Sequence, residues 1–133
     1  MSLSFTHTRL MVSDMAASIH FYRDVLGLEL HTRTEDDIYV EFKASPAILS
    51  LYRRELMSEI VGTTHLPPLG SAQDGVLIWF GVENVDAFCE RLHTHGVTLV
   101  APPTDRPAWG LRTAHFRDPD GHLIEIGHGI PMA

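Results

Sequence analysis

Cysteine, basic charge and long apolar runs are all scarce in this sequence. A single cysteine, Cys89, cannot close an internal disulfide, which excludes a disulfide-stapled scaffold and suits a reducing cytoplasm. Its place on an apolar helical stripe reads as a packed thiol rather than a nucleophile. Ten lysines and arginines stand against 17 aspartates and glutamates, a formal net charge of −7. No basic cluster exceeds Arg53-Arg54. That balance argues against nucleic acid or an anionic membrane as partner and leaves a small molecule. No apolar run approaches the roughly 20 residues of a membrane span. The first residues also lack the basic-then-apolar pattern of a secretory signal.

What remains is an ordinary globular composition. The chain has 133 residues, 44% hydrophobic and 20% charged, enough for one domain with a real core. "FTHTRLMV" alternates like a strand, with Leu10 and Val12 on one face and His7 and Arg9 on the other. Asp14 then opens a helix with apolar positions Met15, Ile19, Tyr22 and Leu26, and Gly27 closes it. Three strand-like runs follow, "LELHTRT", "DIYVEF" and "AILSLYR". The second half repeats the order: "GVLIWFGV", a helix capped by Asn84 and closed by Gly96, then "VTLVAPP", "GLRTAHF" and "HLIEIG". "VSDMAASIHFYRDVLGLEL" lies over "VENVDAFCERLHTHGVTL" with one gap.

The pattern is a tandem βαβββ duplication within an α+β domain spanning residues 1–133. Module one covers 3–54, a structureless hinge loop 55–74, and module two 75–128. The hinge carries two prolines and doubles as a candidate cover for the site.

Each module must bury its helix against one sheet face, so the other face of each strand points toward whatever the sheets enclose. That parity sends His7, Ile48, Ser50 and Tyr52 inward from the first module. Leu77, Trp79 and Glu125 point inward from the second. Overlaying the repeats pairs His7 with Leu77 and Ser50 with Glu125. A carboxylate in "HLIEIG" is the anomaly: unpaired in an apolar strand it costs several kcal/mol. Glu125 therefore needs a partner, a cation or a wet cleft. His7, Arg9 and His115 are the candidate partners, the last if the "DPDG" turn sets it directly across from Glu125.

The segments "HTRLMVSDMAASIHFYRDVLGLEL", "GVENVDAFCERLHTHGV" and "WGLRTAHFRDPDGHLIEIG" resemble the vicinal oxygen chelate superfamily, the glyoxalase/bleomycin-resistance/extradiol-dioxygenase group. The resemblance implies tandem βαβββ modules forming a half-open barrel with a cleft, as in the glyoxalase/bleomycin-resistance/dihydroxybiphenyl dioxygenase-like fold. It also implies a homodimer. In metalloenzyme members the ligands come from the first, fourth, fifth and eighth strands. His7 and Glu125 match that pattern, while Ser50 and Leu77 depart from it. A divalent ion (zinc, nickel, manganese or iron) on His7 and Glu125, with His115 as third ligand, is the cofactor such an incomplete site would take; none is certain.

Two functions stay open. One is a bleomycin-resistance-like protein that binds an aromatic or amphiphilic molecule in a dimer cleft, without chemistry. Ser50, Tyr52, Trp79, Trp109, Arg112, Thr113 and His115 are its expected ligand-binding residues, and the pocket-wall character of Leu77, Ser50, Trp79 and Tyr52 tips the balance toward it. The other is a metal-dependent lyase, isomerase or dioxygenase in which Glu125 is catalytic, as metal ligand or as general base on a C–H beside a carbonyl.

Overall fold

A computed structural model describes residues 2–132. The chain divides into two compact units, Met1–Ser71 and Ala72–Ala133, each a four-stranded mixed sheet with few helices. The first runs β1 (His7–Val12), α1 (Met15–Ile19, continuing as a π-helical turn His20–Val25), β2 (Glu29–Arg33), β3 (Tyr39–Ala44), β4 (Ala47–Arg53) and α2 (Arg54–Val61). The second runs β5 (Leu77–Gly81), α3 (Val85–Thr94), β6 (Leu99–Arg106), β7 (Leu111–Arg117) and β8 (Leu123–Gly129), with a 3-10 turn Pro107–Trp109 between β6 and β7.

The two sheets have matching orders, β1-β4-β3-β2 and β5-β8-β7-β6. In each, the first and last strands pair in parallel and the rest antiparallel. The duplication extends to the caps. Asp14 and Asn84 each accept a hydrogen bond from the backbone N–H three residues on, at 3.0 Å in both cases. Gly27 and Gly96 close the two helices at φ +84° and +78°, a conformation costly for any other residue. Pro102 and Pro103 sit in β6, an edge strand, where a missing N–H breaks no inner ladder.

Each core forms on one face of its sheet. In the first unit Leu10, Val12, Val40, Phe42, Leu49 and Leu51 are buried with Met15, Ile19 and Tyr22. Tyr22 packs against Phe42 at 6.0 Å between ring centroids. The π turn differs from the regular helix expected. The Leu26 N–H bonds Phe21 O, one residue further back than in an α-helix, and Phe21 and Val25 are buried. In the second unit Val85, Cys89 and Leu92 are buried with Ala114, Phe116, Ile124 and Ile126. Burial pushes the Cys89 thiol pKa up, as expected of a packed cysteine.

One expectation is corrected. The start of the segment read as a structureless hinge is helix α2. Leu56, Met57, Ile60 and Val61 recur at helical spacing, and Gly62 at φ +75° supplies a left-handed C-cap whose N–H bonds Ser58 O. The prolines lie beyond it, at Pro67 and Pro68.

Candidate functional site

The helix-free face of the second sheet carries one row of side chains across three strands. Trp79 on β5 pairs with Glu125 on β8, which pairs with His115 on β7. His115 Nε2 donates to Glu125 Oε1 at 2.8 Å, so the anomalous carboxylate has a partner on the neighbouring strand. Both side chains are largely buried, 15% and 12% exposed. With its proton on Nε2, the ring presents a lone pair at Nδ1. That atom is buried with no hydrogen-bond partner among the described residues.

Trp79 is 46% exposed and lies against two glycines. A Cβ at Gly127 would stand 2.9 Å from its Cζ2, and one at Gly81 3.3 Å from its Cζ3. Both glycines serve close approach: any larger residue at 127 would lift the indole off the sheet. Thr113 shares this face opposite Gly127 and is fully buried. Its hydroxyl accepts from Arg106 Nε at 3.5 Å. Leu77, at the strand's start, is 42% exposed.

Arg112 stands apart from that row. Its parity is that of Ala114, and its guanidinium is taken by Asp86 on α3 through two bonds of 2.7 and 2.8 Å. A third bond of 2.9 Å goes to Asp105. Expected as a ligand-binding residue, it meets two carboxylates of its own chain, whose bonds drive its pKa far up while Asp86 is held below the usual carboxylate range. Trp109 is 61% exposed in the 3-10 turn, with the Arg106 guanidinium 5.7 Å from its ring centroid. His122 is bound to Asp118 at 2.7 Å in the β7–β8 turn, a structural role. His128 Nδ1 accepts from the Val85 N–H at 2.9 Å and so caps α3.

The first sheet's helix-free face has an equivalent row. Arg9 on β1 pairs with Ser50 on β4, which pairs with Glu41 on β3. His7 reaches across β4: its Nε2 donates to Glu41 Oε2 at 3.1 Å, while Nδ1 lies 2.8 Å from Thr6 Oγ1. The Tyr39 hydroxyl donates to the same Glu41 oxygen. That bond first, with His7 adding to it, holds the Glu41 carboxyl below its usual range despite burial. His31 Nε2 is 3.9 Å from the other Glu41 oxygen. Tyr52 lies beside Tyr39 at 6.3 Å between centroids.

Glu41 and Tyr39 are functional candidates missing from the sequence reading, although the signal was present. Val40 and Phe42 are fully buried, so in "DIYVEF" the alternate positions Tyr39 and Glu41 must face the other way.

A protein-bound zinc ion takes three or more protein donors. The first unit joins His7 to Glu41, with His31 3.9 Å from the same carboxylate, and the second joins His115 to Glu125. Among the described residues, no group of three His, Cys, Asp or Glu side chains could hold an ion. Ser50 is a neutral hydroxyl bound to Arg9, and Leu77 has no donor atom. The donor set does not fit a glyoxalase-type metal.

The profile of the Glyoxalase/Bleomycin resistance protein/Dioxygenase superfamily matches residues 4–126, and the chain belongs to that superfamily. It is 42% identical to the uncharacterized protein YraH of Bacillus subtilis, across 89% of this chain and 92% of that one. It is 33% identical to a lactoylglutathione lyase of Haemophilus influenzae, across 93% and 91%. Among solved structures, a glyoxalase/bleomycin resistance protein/dioxygenase from Nocardioides superposes with a TM-score of 0.79 at 27% identity, covering 98% of this chain and 85% of that one. Among the described residues, no helix is long and apolar enough to cross a membrane.

Proposed function

We propose that this member of the Glyoxalase/Bleomycin resistance protein/Dioxygenase superfamily binds a small aromatic or amphiphilic molecule on the helix-free face of its second sheet. The observation that carries the reading is Trp79, a half-exposed indole held against Gly81 and Gly127 beside the buried His115–Glu125 pair. A monomer has no packing reason to clear two glycines so that an indole can remain half in water. Covering the exposed part of that ring contributes on the order of 1–2 kcal/mol. The row continues from it through Glu125 to His115, which supply hydrogen-bonding atoms beside the ring. The chain acts as a homodimer in the reducing cytoplasm, its unpaired strand edges covered by a second copy.

Calorimetric titration with crystal violet and with 8-anilinonaphthalene-1-sulfonate tests the reading. Saturable binding of one probe, weakened about tenfold in Trp79→Ala, supports it. Absence of saturable binding for both overturns it. So does stoichiometric zinc, nickel, manganese or iron in protein purified without chelator.

A second reading draws on the 33% identity to a lactoylglutathione lyase. Here Glu125, oriented by His115, takes a proton from a carbon beside a carbonyl. Formation of lactoylglutathione by the wild type, lost in Glu125→Gln with the fold intact, would favour this reading over passive binding.

A further inference from the structure

We propose that Arg9 anchors an oxyanion site on the helix-free face of the first sheet, a site for the carboxylate or phosphate group of a small molecule. It is independent of the Trp79 reading.

Arg23, Arg33, Arg112 and Arg117 are each closed by a carboxylate, from Asp24, Asp37, Asp86 and Asp74 respectively, at 3.0 Å or less. Arg9, like Arg106 on Thr113 and Trp109, is held by neutral groups instead, but by two shorter hydrogen bonds. Its Nε donates to Ser50 Oγ at 3.3 Å, its Nη2 donates to the Tyr39 hydroxyl at 3.2 Å, and its guanidinium carbon stands 4.8 Å from the Tyr39 ring centroid. These contacts fix the guanidinium without cancelling its charge.

The network also sets the direction of each donor. The Tyr39 proton is committed to Glu41, so the phenol oxygen accepts from Arg9. Ser50, fully buried, turns its own proton toward Thr8 O. A guanidinium carries five N–H groups. Both on Nη1 and one on Nη2 have no partner among the described residues, and the residue is exposed. A fork of this kind matches the two oxygens of a carboxylate or phosphate.

Glu41 is the opposing term. Its carboxylate lies one hydroxyl beyond Arg9, already engaged by Tyr39 and His7. An anion at contact distance of roughly 3 Å from the free N–H groups of Arg9 meets the guanidinium directly, while the Glu41 carboxylate lies behind the Tyr39 hydroxyl; because both interactions scale as 1/r, the nearer charge dominates. Arg9–Ser50–Glu41 is the same row in the first sheet as Trp79–Glu125–His115 in the second. The edge position that carries an exposed, pre-positioned indole in one sheet carries an exposed, pre-positioned cation in the other.

The test is titration of the full chain with sodium benzoate and with inorganic phosphate at constant ionic strength. Arginine Nε–H resonances and calorimetry provide the readout. Saturable binding that shifts the Arg9 Nε–H signal, falls about tenfold in affinity in Arg9→Gln, and is unchanged in Arg33→Gln supports the site. Tighter binding of benzoate assigns a carboxylate ligand, and tighter binding of phosphate a phosphate ligand. Circular dichroism confirms that the variants are folded, and Arg9→Lys, which keeps charge without the fork, should bind with intermediate affinity. No saturable shift with either probe, or equal loss in Arg33→Gln, overturns the proposal.

Discussion

Glu125 on β8 and His115 on β7 are directly opposed across an antiparallel pair and joined by a 2.8 Å hydrogen bond in a largely buried setting. Removing one partner leaves the other buried and unsatisfied, the costly case for polar groups. His115→Ala should lower unfolding free energy by about 2 kcal/mol in urea titration. Glu125→Ala in the His115→Ala background should cost much less than in the wild type. Additive losses across that double-mutant cycle would show that the pair does not act as a unit.

Gly127 tests the seat of Trp79. Gly127→Ala puts a methyl group where the indole now lies, 2.9 Å from Cζ2. The ring must rotate away, at a cost of about 1–2 kcal/mol, and tryptophan emission should shift. Gly81→Ala, with its 3.3 Å contact, should disturb the protein less. Equal, negligible effects at both positions would contradict the close approach.

Acid should destabilise the fold. Glu41 is held below its usual range by Tyr39 and His7, Asp86 by Arg112, and Asp74 by Arg117. A carboxyl whose folded pKa lies below its unfolded value adds stability that is present above the unfolded pKa. It is lost as pH falls through the folded one. Melting temperature should therefore decline from about pH 5 downward. Asp86→Asn should be less stable near neutrality and show a shallower acid decline.

His128 caps α3 from a distant strand. His128→Ala removes the acceptor for the Val85 N–H and should cost about 1 kcal/mol. Amide exchange should accelerate first in the opening turn of α3. Uniform acceleration across the second unit would point to a general packing defect instead.

Much of this was legible in the sequence through local periodicity. Leu10 and Val12, or Ile124 and Ile126, declare the buried face by alternation, and the opposite face follows for His7, Ser50, Trp79 and Glu125. Asp14, Asn84, Gly27 and Gly96 marked the helix ends because caps are short-range chemistry. Glu41 was equally legible by parity in "DIYVEF", yet its importance depends on which residues reach it. The helix at Arg54–Val61 was obscured by the prolines and glycines that follow it.

The sequence by itself determined the repeat, the two sheets and the side of each strand, since a period of two and a helical stripe act within a few residues. Partner choice was decided only by the tertiary structure. Strand order places β4 between β1 and β3, and this lets His7 bond Glu41, 34 positions away. It also leaves Arg9 on Ser50 and Tyr39. Arg112, chemically as fit for an anion as Arg9, is instead captured by Asp86 because β7 passes the start of α3. A side chain's chemistry is fixed by its identity, but whether it is spent internally or kept for a ligand depends on which non-local groups the register brings within about 3 Å of it.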